Sequence, residues 1–168
     1  GSVNISKKIN IVNEFRCIVL CGNVELIYLK KRPTIIGDGI SPLITLLAKS
    51  QFKILKLKSS IESNLYTVPE KDTVIELSDQ DNLSLGAEAE IIKSDNNLFS
   101  QLKHIALRSA NALDLNFCSI DIVLNTNGDL LVMEANSGMM FNNFVIASST
   151  NEVEVKRIFN KAISLLIK

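Results

Sequence analysis

Three oxygen-bearing side chains, Asp121, Glu134 and Asn136, are the residues whose types and spacing best suit chemistry in this chain. Asp121 lies in the apolar-rich run 117–125, and Glu134 lies in a second such run, 130–135, which Asn136 follows directly. The two runs lie on either side of Asn127-Gly128. Asn-Gly is the strongest short-range hairpin signal, because a type I′ turn needs positive φ at both central residues. The sequence therefore predicts a β-hairpin that brings the three side chains together.

A two-residue loop at Asn127-Gly128 fixes the register of this hairpin, because Thr126 then pairs with Asp129. One face is predicted to be apolar, with the pairs Ile120/Ala135, Ile122/Met133 and Leu124/Leu131. The other face carries the pairs Ser119/Asn136, Asp121/Glu134 and Val123/Val132. A slip of one residue would move the two carboxylates to different faces.

The predicted register places the carboxylates of Asp121 and Glu134 directly opposite each other, with Cβ atoms about 5 Å apart. Like charges so placed repel, so a shared proton, a basic neighbour or a divalent cation should compensate them. With the amide oxygen of Asn136 they form a hard, all-oxygen donor set that suits Mg²⁺, an ion that keeps waters and bridges to phosphates. The alternative is a solvent-exposed face on which the carboxylates relax apart.

The surrounding elements are predicted from hydrophobic period and turn residues. Strands are expected at 15–21 and 24–29 around a Gly22-Asn23 loop, and at 74–77. A turn is expected at Gly37-Asp38-Gly39, a helix after Ser41-Pro42 to about Lys49, and helices at 97–113 and 152–167. The stretch 51–70, with Phe52, Ile54, Leu55 and Leu57, fits a short helix or a strand. Hairpins mixed with amphipathic helices predict an α+β domain with helices packed on a mainly antiparallel sheet.

Composition narrows the function classes. The 168 residues suit one domain, and 18 basic against 18 acidic residues leave no basic excess for binding nucleic acid. No apolar run is long enough to span a membrane. Three cysteines without a CxxC pair favour a reducing compartment, the cytoplasm. His104 is the single histidine, expected at the surface, so His-rich metal sites are excluded.

Several motifs carry a family resemblance. The pattern Asp121, Glu134, Asn136 resembles the magnesium-binding strand pair of ATP-grasp ligases, and is most similar to the ATP-grasp domains of cyanophycin synthetase and bifunctional glutathione synthetase. Further segments resemble that family in the same order: 14–19, Gly37-Asp38-Gly39, Val68-Pro69 with 82–86, and 113–116 before Ile120-Asp121. The resemblance covers roughly residues 14–148.

ATP-grasp ligases phosphorylate a carboxylate to an acylphosphate, which an amine or thiol attacks. The resemblance implies that Asp121, Glu134 and Asn136 hold Mg²⁺ beside ATP and that Arg16 and Lys30 contact the phosphates, with Asn136 also at the nucleotide. It implies a small-molecule or peptide carboxylate and an amine or thiol nucleophile as partners, and it leaves homo-oligomerisation open. The residues alone also allow Arg16 to be a strand-edge charge near Glu14, and Lys30 to be solvated.

Two features depart from the family pattern. Relatives follow the asparagine with x-x-P-G and a nearby histidine, and residues 137–143 have neither. Residues 3–168 are expected to form the C-terminal, metal- and phosphate-binding part of the domain, with the N-terminal ATP-binding lobe absent from this chain and the fragment inactive by itself. Two alternatives stay open: a non-catalytic binding or assembly module that retains the scaffold, and a Ca²⁺ or Mg²⁺ site that only stabilises the hairpin.

Overall fold

The computed structural model describes residues 9–50, 57–78, 83, 87–148 and 150–167. Strands and helices alternate along these residues, and none of their helices is both long and apolar enough to cross a membrane. The order is β1 (Ile11–Leu20), β2 (Asn23–Lys31), β3 (Thr34–Ile36), α1 (Leu43–Lys49), α2 (Ser59–Glu62), β4 (Val74–Glu76), β5 (Glu88–Ile91), α3 (Phe99–Ala112), β6 (Phe117–Asn125), β7 (Leu130–Asn136), α4 (Asn142–Ala147) and α5 (Asn151–Leu166).

The strands form a five-stranded sheet in the order β5-β2-β1-β6-β7 and a two-stranded sheet of β3 and β4. β1 pairs with β6, β6 with β7, and β3 with β4, all antiparallel. The predicted α+β class with a mainly antiparallel sheet is therefore confirmed. The chain divides into two compact units, Gly1–Leu29 with Ile91–Met139, and Lys30–Glu90 with Met140–Lys168.

The core of the first unit lies between α3 and one face of the sheet. Alternate residues of β1 and β6 point to it, as the two-residue period of a strand requires. Small residues of α3, Ala106 and Ala110, allow the helix to approach the sheet closely. The buried members are Phe15, Cys17, Val19, Ile27, Ile92, Leu102, Ala106, Ala110, Cys118, Ile120 and Ile122.

The second unit has a separate small core made of Ile35, Leu43, Leu47, Ile61 and Leu77. The Gly37-Asp38-Gly39 turn packs against the segment 69–73 in this unit. The N–H of Gly37 donates to the carbonyl of Thr73 at 2.8 Å, and a Cβ on Gly37 would lie 2.2 Å from the carbonyl oxygen of Glu70. Glycine is therefore required at position 37 by the close approach of backbone.

The β1–β2 hairpin turns one residue earlier than predicted. Its loop is Cys21-Gly22, with φ of 45° and 73°, and Asn23 is already in β2. Positive φ at both central residues is what a type I′ loop needs, and such a loop matches the right-handed twist of the strands. The prediction placed glycine first in the loop, but glycine takes the second position and cysteine adopts the left-handed conformation.

The bounds of the two long helices, α3 and α5, agree with the prediction to within two residues at each end. Some residues of their predicted apolar stripes are nevertheless exposed. Leu102 and Ala106 of α3 are buried, whereas Leu113 lies after the helix and is exposed. Val155 and Ile158 of α5 are buried, but Phe159 and Ile163 are partly exposed. His104 is exposed, as predicted. The interpretations of Phe52, Ile54 and Leu55, and of the 82–86 motif except Leu83, lie outside the described residues.

Candidate functional site

Three charged side chains form a row across neighbouring strands on the sheet face opposite α3. Arg16 of β1 pairs with Asp121 of β6, and Asp121 pairs in turn with Glu134 of β7. Directly paired residues of an antiparallel sheet project from the same face. The structure thus confirms the predicted Asp121/Glu134 pair and also the Ser119/Asn136 pair beside it.

The predicted register is correct near the site and wrong near the loop. Ile122 pairs with Val132, Val123 with Leu131 and Leu124 with Leu130, each one residue away from the prediction. A β-bulge between Asp121 and Ile122 absorbs the difference, because Met133 is an extra residue of β7. Val132, Met133 and Glu134 are all exposed, which breaks the alternation expected of a regular strand.

The loop is longer than predicted because the side chain of Asn125 caps it. Asn125 Oδ1 accepts hydrogen bonds from the N–H groups of Asn127 and Asp129, at 2.9 Å and 2.8 Å. The backbone N–H of Asn125 donates to the carbonyl of Asp129, so Thr126 to Gly128 form the loop. Gly128 has a φ of 87°, whereas Asn127 is not left-handed, so the loop is not of type I′. The extra loop residue and the bulge cancel at Asp121 and Glu134.

Asp121 is bound by Arg16 in a bidentate ion pair. Arg16 Nε donates to Asp121 Oδ1 and Arg16 Nη2 to Asp121 Oδ2, both at 2.7 Å. The side chains are 25% and 5% exposed, respectively. The hydrogen bond from Arg16 to Asp121 raises the pKa of the guanidinium above its usual value, and Arg16 also hydrogen bonds with the hydroxyl of Tyr28. Arg16 is therefore a half-buried, paired residue of the central strand and not a strand-edge charge.

Two residues near this pair also have raised pKa values. Burial raises the pKa of the Tyr28 hydroxyl to about 12, and the charge of Asp121 acts in the same direction. Burial likewise raises the pKa of the Cys17 thiol to about 12, again with a contribution from Asp121. The burial of Tyr28, which contacts Arg16, therefore indicates that the ion pair is poorly hydrated, and a charge in such surroundings is costly unless it is paired.

The repulsion expected between Asp121 and Glu134 is compensated in this structure by Arg16, the basic neighbour that the sequence left open. One cation and two carboxylates in the row leave one negative charge. Glu134 is exposed and Asn136 is half-buried, so both side chains are accessible on this face. A cation that enters here meets an accessible carboxylate and an amide oxygen beside a buried carboxylate.

The donor set fits Mg²⁺ by its chemistry, because all three donors are hard oxygen atoms. Within the described part of the chain no group of three or more His, Cys, Asp or Glu side chains could hold a metal. The proposed trio includes only two such residues, since its third member is an asparagine. These residues would hold the ion with few protein donors, and Mg²⁺ usually keeps several waters in such sites.

The two remaining predicted features lie in the second unit. Lys30 of β2 is 7% exposed, which excludes the interpretation of a solvated residue in a basic run. Asp38 caps the glycine turn, because its Oδ1 accepts from the N–H groups of Ile40 and Ser41 at 2.8 Å and 2.6 Å. These hydrogen bonds, with Ser41 the stronger partner, lower the pKa of Asp38 to about 2. The hydrogen bonds of Asp38 thus explain the Gly37-Asp38-Gly39 turn by structure alone.

Tyr28 is the residue of this region that sequence reasoning missed. It lies within the apolar sequence Leu26-Ile27-Tyr28-Leu29, whose pattern predicts only a strand. A tyrosine in a fully buried strand needs a partner for its hydroxyl, and that requirement was the available signal. The partner, Arg16, could not be identified without the pairing of the strands.

Comparison with known proteins identifies the class of this fold. The chain is similar to a bifunctional glutathione synthetase from Pasteurella multocida, with a TM-score of 0.57 and 18% identity over 78% of this chain and 21% of that one. It also matches the ATP-grasp ligase PsnB complexed with minimal precursor, with a TM-score of 0.45 and 15% identity over 85% of this chain and 31% of that one. None of the curated proteins matches it. The likeness to the glutathione synthetase is one of fold.

The family of this chain follows from its sequence. Residues 75–158 match the RimK-like ATP-grasp domain, and this segment is half of the chain. The chain belongs to the RimK-like ATP-grasp domain family. The matched segment contains Asp121, Glu134 and Asn136 but neither Arg16 nor Lys30. The chain spans about a fifth of the length of the glutathione synthetase it matches, at 21%.

Proposed function

We propose that this chain is the metal- and phosphate-binding part of an ATP-dependent ligase. In this proposal the enzyme joins a carboxylate to an amine or thiol by way of an acylphosphate. Residues 3–168 supply one side of the nucleotide site, and a second lobe, rich in lysine and glycine as in the family it resembles, grips ATP from the other side. The substrates are a small-molecule or peptide carboxylate and its nucleophile, and the compartment is the cytoplasm.

The proposal rests on the row of charged side chains formed by Arg16, Asp121 and Glu134 on neighbouring strands, in a chain that belongs to the RimK-like ATP-grasp domain family. The row joins a cation suited to phosphate oxygens with carboxylates suited to Mg²⁺. In a ligase of this class Mg²⁺ neutralises the developing charge of phosphoryl transfer. Asp121, Glu134 and Asn136 would hold that ion, and Arg16 and Lys30 would meet the phosphates.

The proposal assigns separate tasks to the residues of this chain. The buried Asp121 holds the guanidinium of Arg16 in a fixed plane, which is the geometry that bidentate recognition of a phosphate requires. Glu134 and Asn136 provide the accessible oxygens of the same face. Lys30, buried on β2, provides a point charge, and its burial favours pairing with an anion over solvation.

Glu134→Gln is the sharpest test of the metal assignment. The change removes one charge from an exposed side chain, so the free energy of unfolding should stay within about 0.5 kcal/mol of the parent. In the full-length protein, ADP release with its acceptor should fall by about 100-fold, the scale of losing one charge-stabilising group in a phosphoryl-transfer site. Glu88→Gln, another exposed strand glutamate, is the matched control and should retain activity. Turnover of Glu134→Gln within a few-fold of the parent would show the assignment to be wrong.

Calorimetric titration with Mg²⁺ separates the alternatives. A ligase site binds Mg²⁺ more tightly when a non-hydrolysable ATP analogue is present, because the ion bridges protein and phosphate oxygens. Binding that ignores the nucleotide indicates an ion that only stabilises the hairpin. Absence of both metal and nucleotide binding in the full-length protein indicates the non-catalytic module, which the altered segment 137–143 favours.

A further inference from the structure

The hydroxyl of Tyr28 is a buried polar group whose position demands an explanation. Tyr28 is 2% exposed, and its neighbours along β2, Leu26 and Ile27, are also buried. A buried hydroxyl without a partner costs about 1–3 kcal/mol, so phenylalanine would be the simpler residue for packing alone. In the described part of the chain every buried side-chain nitrogen and oxygen has a partner, and for Tyr28 it is the guanidinium of Arg16.

Arg16 is therefore held by two groups of different charge. Asp121 binds Nε and Nη2 through both carboxylate oxygens, and the Tyr28 oxygen accepts a hydrogen bond from the same guanidinium. A guanidinium has five N–H donors in one plane. Two partners restrict its orientation, and the Arg16 side chain, which is 25% exposed, keeps N–H groups for a ligand.

We propose that Tyr28 is a positioning residue that keeps the guanidinium of Arg16 oriented toward a phosphate-bearing ligand. The identity of the ligand rests on the function proposed above. Asp121 is also a proposed Mg²⁺ ligand, so its hold on Arg16 weakens whenever its oxygens are shared with a cation. The hydroxyl of Tyr28 is neutral and coordinates no metal in this proposal, so its hold on Arg16 persists in both situations.

Tyr28→Phe tests the positioning directly by NMR of the arginine Nε–H groups. The chain has four arginines, so the spectrum is sparse, and Arg16→Lys identifies the signal of Arg16. Loss of one charge-assisted hydrogen bond to the guanidinium should make exchange of the Arg16 Nε–H with water faster by about tenfold. Phenylalanine fills the same volume, so the fold is retained. Ile27→Val, a small loss in the adjacent core, is the control and should leave this signal unchanged.

A second readout concerns nucleotide use in the full-length protein. Tyr28→Phe should lower kcat/KM for ATP by about tenfold, whereas Ile27→Val should stay within about twofold of the parent. An unchanged Arg16 signal in Tyr28→Phe overturns the positioning role, whatever the activity. Faster exchange at Arg16 in a protein that turns over no ATP supports the positioning and contradicts the proposed function, so the two can fail separately.

Discussion

The pairing of Arg16 with Asp121 shows how a single residue can serve both the fold and the site. Asp121 is 4% exposed in the middle of β6, and a carboxylate at such a position is tolerated only when it is paired and hydrogen bonded. Arg16 meets this requirement with two hydrogen bonds of 2.7 Å. A residue proposed for metal binding is therefore also one whose loss should destabilise the protein.

A double-mutant cycle of Arg16→Gln and Asp121→Asn should measure this structural role. Arg16→Gln leaves the buried carboxylate of Asp121 without its counter-ion, and we expect it to lower the free energy of unfolding by about 3 kcal/mol. Asp121→Asn should cost less, because the Arg16 side chain that it leaves unpaired is 25% exposed. The double variant should lose less than the sum of the two changes, with a coupling of about 2 kcal/mol. Urea unfolding followed by far-UV circular dichroism provides the four free energies.

The exposed pair Glu152 and Lys156 on α5 is the matched control for this cycle. Their atoms are also 2.7 Å apart, but the side chains are 53% and 70% exposed. Water screens such a pair, so its coupling should be much weaker than that of Arg16 with Asp121. Equal coupling energies for the two pairs would mean that burial does not strengthen the Arg16–Asp121 interaction.

Among the elements, the β6–β7 hairpin shows what a sequence can and cannot determine. The alternation of residues and the Asn-Gly signal predict both strands and the Asp121/Glu134 pair correctly. They miss the cap by Asn125 and the bulge at Met133, because both depend on competition between local hydrogen bonds that a pattern does not rank. The Asp121/Glu134 pair is correct because the two missed features offset each other.

The pairing of Asp121 with Arg16 could not be predicted from the sequence, for a different reason. Arg16 and Asp121 are 105 residues apart, and the β1–β6 register that joins them is set by packing of both strands against α3. The same pairing makes Arg16 available to Tyr28. Local signals predicted the hairpin that carries three proposed ligands, whereas the charged row that crosses it needed the tertiary structure.

The loop of this hairpin makes a prediction about Gly128. Its φ is 87° and a Cβ there would meet nothing within 4 Å, so Gly128→Ala is strained by backbone conformation alone. We expect the free energy of unfolding to fall by about 1–2 kcal/mol. Gly138→Ala is the matched control, because Gly138 has equally open surroundings without a positive φ. It should be neutral or slightly stabilising, and similar losses at both positions would contradict the conformational explanation.

For the whole molecule, the segment that matches the family does not contain all residues of the proposed site. The matched segment 75–158 covers the three proposed oxygen ligands, while Arg16 and Tyr28 come from the first two strands of the chain. Arg16, Tyr28, Asp121, Glu134 and Asn136 all belong to the first compact unit, and Lys30 begins a segment of the second. Lys30 therefore lies outside the compact unit that holds the other proposed site residues.

The stability of the whole chain should decrease at alkaline pH because of groups around the Arg16–Asp121 pair. The pKa values of Cys17 and Tyr28 are raised to about 12, from ordinary values of 9.0 and 10.0. The unfolded chain releases these protons first, so the stability is fully present below about pH 9 and is lost as the pH rises toward 12. Cys17→Ala removes one group and should make the fall of unfolding free energy shallower by about 1 kcal/mol per pH unit between pH 10 and 11. Val19→Ala, a change in the same core that removes no titratable group, should keep the slope of the parent. Identical slopes for Cys17→Ala and the parent, measured by urea unfolding at each pH, would show that burial of Cys17 does not raise its pKa.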